Sequence, residues 1–379
     1  MARIEIDPNY SSPTFSRATA ATDPFKKEDV QALAAALSTH THGTGKGLAI
    51  DPAGIPAGAI PGSAIADGGI TSAKIADGTI ATGDLANSSV TNIKLGTDTA
   101  RANLLTNGGF EIWQRGNGPF TVNGFTADKW SRFVGGTDTF SISKDTANCD
   151  IGSQADAVVT FTLGTGAGAS TLWQYVKTTE CALNGKVISA NVRVRTSTAS
   201  AVQLVVKVNG GSTIAGSSTF HTGDGTYQTL TVSNIAVPSN ETQLNIEVHF
   251  AASCTAYLDN AMLVVGSVAA DYAPLHPADD LARCLRYYEV LGDAANDMCV
   301  NSYHGAGAVF QIPVRFKANK AVTPTMTKNG TWSVTNCAQP GAGSPGLGGF
   351  VLFSTVTATA GFTFINDAVG KNIVAEANP

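Results

Sequence analysis

Between Ala64 and Leu85 the chain reads AIADGGITSAKIADGTIATGDL, and the spacing of its apolar residues fits neither a helix nor an ordinary strand. Aliphatic side chains stand at Ile55, Ile60, Ile65, Ile70, Ile75, Ile80, Leu85, Val90 and Leu95, one every five residues. A helix repeats its faces every 3.6 residues and a strand every two. A ten-residue superperiod overlies the pattern: IADGGITSAK at 65–74 is followed by IADGTIATGD at 75–84. Asp67-Gly68 and Asp77-Gly78 are turn dipeptides, so short β-like steps joined by tight turns are expected. A repeated unit of this kind cannot bury its apolar side alone. The few aliphatics available leave too little core for an isolated globule. The segment must therefore coil on itself as a solenoid or wind together with other chains.

What precedes the repeat favours several chains. Residues 1–25 are polar and irregular, with Pro8, Pro13 and Pro24, and suit a segment that docks on something larger. In DPFKKEDVQALAAALSTHTHG, Asp23 and Pro24 make a sound helix start. Val30, Leu33 and Leu37 then form a stripe too thin to hold a short helix alone. Identical copies packed stripe to stripe as a coiled coil would complete it, and a surface helix on its own chain is the alternative. His40 and His42 follow in THTHG; two apart in an extended segment, they point the same way. Three chains would bring six imidazoles to one ion, a set suited to iron or another octahedral transition metal. Two exposed loop histidines are the plainer alternative.

From Arg101 the period becomes two. In VISANVRVRT, Ile188, Ala190, Val192 and Val194 share one face. In TQLNIEVHF, Leu244, Ile246, Val248 and Phe250 do the same. With VQLVVKV, AVVTFTL and AYLDNAML, these read as a β-sandwich or jelly roll. After VAADYAPLHP a helical stripe is expected at Leu281, Cys284, Leu285 and Tyr288, with Asp279 and Asp280 capping its start. Phe310, Ile312, Val314 and Phe316, then GFVLFSTV and GFTFIN, return to strands. QPGAGSPGLGG at 339–349 reads as a flexible loop.

Composition closes several routes. A net charge of −5 argues against nucleic acid as the main partner. Nothing approaches the ~20 apolar residues that span a bilayer, so no membrane insertion is expected. MARIEIDPNY lacks the pattern of a secretory leader, which points to synthesis in a cytoplasm and to free thiols at Cys149, Cys181, Cys254, Cys284, Cys299 and Cys337. There is no G-x-S-x-G, H-E-x-x-H or P-loop, and no catalysis is expected.

The decapeptide texture of IADGTIATGDLANSSVTNIKL resembles the shaft repeats of bacteriophage tail and head fibres, and THTHGTGKG is similar to their His-X-His segments. NLLTNGGFEIWQRG, with YLDNAMLVVG far downstream, resembles the opening and closing strands of family-4-like carbohydrate-binding jelly rolls. DLARCLRYYEV resembles a stretch that follows such jelly rolls in phage fibre proteins. In the jelly-roll family the matching carboxylates lie near a structural calcium, which here implies Glu111 and Asp259.

The resemblances imply a mainly β homotrimer. Residues 1–25 would anchor to a virion head, neck or tail protein, and 26–50 would form the coiled coil and metal segment. Residues 51–100 would be the shaft, 101–273 the jelly roll, and 274–379 a small C-terminal β domain with one helix. Val30, Leu33, Leu37, Ile65, Ile70, Ile75, Ile80 and Leu85 would line the trimer interface. The β domains would meet a host-surface polysaccharide, with Trp173, Tyr175, Trp130 and Tyr227 as candidate sugar contacts. Large aromatics in a sandwich are also core material. A purely structural head or neck fibre and a monomeric cellular carbohydrate-binding module are the alternatives.

Overall fold

The repeat is built from turns. In the structure, a computed structural model describing residues 60–85, 101–166 and 170–378, 3-10 turns occupy Gly62–Ala64, Ser72–Lys74 and Thr82–Asp84, ten residues apart. Between them, Gly69 N–H donates to Ala66 O at 2.8 Å and Thr79 N–H to Ala76 O at 3.2 Å. The third residues of these turns, Gly68 and Gly78, have φ of +73° and +78°, where a side chain would be strained. Each five-residue half is thus one turn, the two halves differ in kind, and the structural unit is the decapeptide. The turns at Asp67-Gly68 and Asp77-Gly78 are where the sequence places them; the β-like steps do not form strands in 60–85.

None of the repeat aliphatics in 60–85 is buried. Ile60, Ile70 and Ile80 are 54–55% exposed, and Ile65, Ile75 and Leu85 are 40–46% exposed. A self-coiled solenoid would have buried them. Val30, Leu33, Leu37, His40 and His42 lie outside the described residues, as does the 1–25 segment.

Residues 101–378 belong to a second unit, whose first part is an antiparallel sandwich. One sheet contains β1 (Gly124–Phe125), β2 (Ser131–Phe133), β5 (Ser170–Lys177), β7 (Val202–Val208), β8 (Thr213–Ser217) and β10 (Gln243–Phe250), in the order β1-β2-β5-β10-β7-β8. The other contains β3 (Thr139–Asp145), β4 (Asp156–Thr162), β6 (Val187–Thr196), β9 (Tyr227–Ala236) and β11 (Cys254–Val265), in the order β3-β4-β11-β6-β9. The alternations expected at 188–194 and 244–250 both point inward, and all eight side chains are buried. Leu172, Val206, Val159 and Leu258 join them, and Phe140, Phe161 and Phe250 pack ring to ring.

The two ends of the sandwich sequence meet. Leu104 N–H donates to Leu263 O and Ala261 N–H to Gly108 O, while the Asn103 amide bonds Ala261 O and the N–H groups of Leu105 and Leu263. A Cβ on Gly108 would stand 2.3 Å from Ala261 O, so only glycine allows this approach. NGGFE is a tight turn and not an opening strand: Asn107 and Phe110 have φ of +54° and +53°. Phe110 stacks on Trp130 at 4.6 Å, and the Trp130 indole donates to Asn107 O.

The helix after the sandwich runs from Pro277 to Leu285, shorter than the expected stripe. Tyr288 already opens β12 (Tyr288–Leu291), and Leu281 is exposed while Cys284 is buried. His276 is the cap, its Nδ1 accepting from Ala278 N–H, and Asp280 instead accepts from Asn107 N–H at 2.9 Å.

Three three-stranded sheets follow. β20 (Ile373–Glu376) pairs with β12 on one side and β15 (Thr325–Lys328) on the other; β13 (Cys299–His304), β16 (Ser333–Thr335) and β19 (Ala360–Ile365) form the second; β14 (Val309–Arg315), β17 (Gly341–Gly346) and β18 (Gly349–Thr355) form the third. Their common core includes Phe316, Trp332, Phe350, Leu352, Phe362 and Phe364. The glycine-rich stretch expected to be a flexible loop supplies β17, because the Phe353 ring lies across Gly341 and Gly343, where Cβ atoms would meet it at 2.6 and 3.0 Å.

Candidate functional site

The outward face of the six-stranded sheet carries a graded set of polar side chains around one indole. Register places Ser131, Trp173, Glu247 and Val205 in one row. Thr171, His249 and Gln203 form the next, and Tyr175, Asn245 and Lys207 the one on the other side. These residues alternate with the core-facing Leu172, Val248, Ile246 and Leu204, so the alternation that builds the core also delivers the site.

Glu247 organises the face. One of its oxygens, Oε2, lies 2.7 Å from Lys207 Nζ and 2.7 Å from His249 Nε2. Oε1 accepts from Asn245 Nδ2 at 3.2 Å, and Gln243 Nε2 donates to Asn245 Oδ1 at 3.0 Å. Burial pushes the Glu247 carboxyl up, but the bonds from His249, Lys207 and Asn245 outweigh it and hold the group below the usual carboxylate range. The result is an ionised, fully oriented acceptor beside a partly exposed indole.

Trp173 and Tyr175 share this face, 6.0 Å apart with rings tilted by 43°. Only Trp173 offers surface. The Tyr175 ring is covered by the Lys129 ammonium, 3.6 Å from its centroid, which lies also 3.8 Å from the Tyr287 ring. Burial pushes Lys129 down to about 7. Trp130, offered by the sequence as a sugar contact, is fully buried in the core, where no ligand reaches it. Tyr227 is on β9 of the opposite sheet, and its hydroxyl donates to Asp156 at 2.6 Å. Sequence reasoning missed Gln203, Lys207, Asn245, Glu247 and His249. The signal was present, since they are the polar half of VQLVVKV and QLNIEVHF.

Glu111 and Asp259 do not form a ligand set. A calcium ion takes about six to eight oxygens. Asp259 is fully buried, its oxygens accept from the N–H groups of Asp150 and Asn260, and burial pushes it up to about 7. Glu111 is exposed, and among the described residues no three His, Cys, Asp or Glu side chains converge on a metal position. The pair as it stands does not fit the ion.

No family model matches the chain, and no curated protein matches it. Among solved structures, a TmCBM61 module in complex with β-1,4-galactotriose is similar at 18% identity and TM-score 0.28, over 43% of this chain and 99% of that one. The CBM22-1 xylan-binding domain of Paenibacillus barcinonensis Xyn10C is similar at 14% and 0.30, over 45% and 98%. The enzymatically active domain of bacteriophage CBA120 tailspike protein 4 is similar at 14% and 0.30, over 43% of this chain and 21% of that one.

Proposed function

We propose that this chain is a homotrimeric fibre protein of a phage virion that binds host-surface polysaccharide through the Trp173–Glu247 face. The observation that carries the fibre is the ladder of six aliphatics in 60–85, each 40–55% exposed in a single chain. A spacer has no reason to keep such a register, whereas three chains wound together bury it. In this reading residues 1–25 dock on a head, neck or tail protein. The segment carrying Val30, Leu33 and Leu37 trimerises, and His40 and His42 of three chains hold an iron or other transition-metal ion. Three weak sites on one particle then act together, which raises avidity without new contacts.

The sugar-binding half is supported by the partly exposed indole flanked by oriented planar polar groups, the chemistry that suits a sugar ring and its hydroxyls. Binding without cleavage is favoured because the rows around Trp173 carry one carboxylate, Glu247, where glycoside hydrolysis takes a pair. The mass of the full chain in solution tests assembly: three chains are expected, and a monomer would leave the alternative of a cellular carbohydrate-binding module. Retention on immobilised host polysaccharide tests the face. A trimer that binds no polysaccharide and does not adsorb would be a structural head or neck fibre.

A further inference from the structure

The outward face of the opposite, five-stranded sheet holds a cavity of about 270 Å³, lined by Asp150, Asn191, Arg193, Thr229, Asn260 and Tyr272, with Asp271 at its wall. Its geometry is fixed. Arg193 on β6 and Thr229 on β9 are register partners, and Arg193 forks onto Asp150 with Nε–Oδ2 of 2.6 Å and Nη2–Oδ1 of 3.1 Å. Hydrogen bonding to Asp150 raises the guanidinium further, so both charges persist. Asn191, almost fully buried, is oriented by its Nδ2 bond to Ala270 O at 2.7 Å, and Asn260 by its Nδ2 contact with Ser153 Oγ at 3.3 Å. Each amide is held by its nitrogen, which leaves its oxygen as an acceptor for a guest.

Arg193 Nη1 also donates to the Thr229 hydroxyl at 3.2 Å, which leaves the second Nη1 proton and the Thr229 O–H as donors beside acceptors from two amide oxygens and Asp271. A hydroxyl both gives and takes a hydrogen bond, so neighbouring hydroxyls on a ring match such a set. Asp150, Arg193 and Asp271 sum to one negative charge, which disfavours phosphate, sulfate or a carboxylate ligand. Arg193 in the same space disfavours a cation. The volume lies just below the ~300–1,000 Å³ of sites for larger ligands, the size for one ring.

We propose that this cavity is a second carbohydrate site, taking a single neutral sugar unit on the side of the sandwich opposite Trp173. It stands on residues that the Trp173 face does not use. The test is saturation-transfer NMR on the full chain with D-glucose, D-galactose, D-mannose and N-acetyl-D-glucosamine. At least one sugar should show transfer that persists in Trp173→Ala and weakens tenfold or more in Thr229→Leu, which puts bulk into the cavity from an exposed strand position. Asp271→Ala is the second variant and should weaken the same sugar if Thr229→Leu fails to fold. Absence of transfer from all four sugars, transfer unchanged in both cavity variants, or transfer lost in Trp173→Ala would overturn the site. So would protection by inorganic phosphate or calcium in place of sugar. Loss of polysaccharide retention in Trp173→Ala reports on the other face alone, so the two sites fail separately.

Discussion

Trp173 and Glu247 are direct register partners across β5 and β10, an indole beside a carboxylate that three neighbours hold ionised. Truncating the indole removes the one aromatic surface of this row and leaves the core-facing side of β5 untouched. Aromatic anchors of this kind cost about 2 kcal/mol or more when cut to alanine, roughly thirtyfold in affinity. Trp173→Ala is expected to lose polysaccharide retention by that order, with a lower melting temperature because the indole is partly buried but with the sandwich still folded. Affinity electrophoresis in host polysaccharide measures it; unchanged mobility would remove this face from binding.

Glu247 itself is expected to matter for both order and binding. Glu247→Gln leaves Lys207 and His249 without their shared charge partner, at a cost of about 1–3 kcal/mol. Because the pair with Lys207 is 22% exposed on the lysine side, the lower part of that range is expected. Urea unfolding of wild type and variant reads the stability. A loss of binding larger than the loss of stability would mark Glu247 as a contact as well as a support.

Much of this architecture was legible, and where it was not the reasons are physical. Period-two patterns at 188–194 and 244–250 identified the core because burial on one sheet face is all that alternation encodes. The same patterns named the outer face only by implication, since polar residues there look like any solvated surface. An indole's size suits core and ligand equally, and for Trp130 only its stacking on Phe110 decides. The 339–349 stretch looked like a loop because glycine carries no face of its own. Its role appears only when Phe353 lies across Gly341 and Gly343.

Lys320 and Glu289 pair at 2.6 Å beneath the C-terminal sheets, with both side chains fully buried. Glu289 also accepts from Lys317 N–H, so the pair ties β12 to the turn after β14. Burial pushes Lys320 down, opposed by Glu289. Removing the acid strands a buried ammonium, which costs about 3–5 kcal/mol. Glu289→Ala is expected to lose that much in chemical denaturation. Glu289→Ala with Lys320→Met should recover most of it, and a double variant no better than the single would contradict the pair's role.

Stability should fall as pH rises from mildly acidic to neutral. Burial raises Asp128 and Asp156 to about 6 and Asp259 to about 7. In the unfolded chain such groups titrate near about 4. Between those values the folded chain holds protons that the unfolded chain has released. Their contribution is thus full below about pH 4 and is lost as pH rises through 6 to 7. Asp150 and Glu247 act oppositely, being held low, so their contribution is lost as pH falls through their own folded range. A maximum near about pH 4 follows, where the raised groups are still protonated in the folded chain and the lowered ones are already ionised there. Asp259→Asn should flatten the decline between pH 5 and 8 in thermal scans; a wild type whose melting temperature climbs steadily over that window would refute the assignment.

The exposed aliphatics predict the largest single effect. Full burial of an isoleucine is worth about 1.5–3 kcal/mol, so covering the exposed half of each gives roughly 1 kcal/mol. Ile65, Ile70, Ile75 and Ile80 in three chains would together contribute on the order of 10 kcal/mol to assembly. Their backbone hydrogen bonds are local, from Ile65 N–H to Gly62 O and from Ile75 N–H to Ser72 O, so the turns survive a change of side chain. Replacing all four with asparagine should therefore weaken the trimer and leave the sandwich folded. Sedimentation at micromolar concentration is expected to show three chains in the wild type and a shift toward one in the variant, with an unchanged near-ultraviolet spectrum from the buried Trp130. If the variant stays trimeric at every concentration, assembly is carried elsewhere in the chain, and the repeat is not the interface.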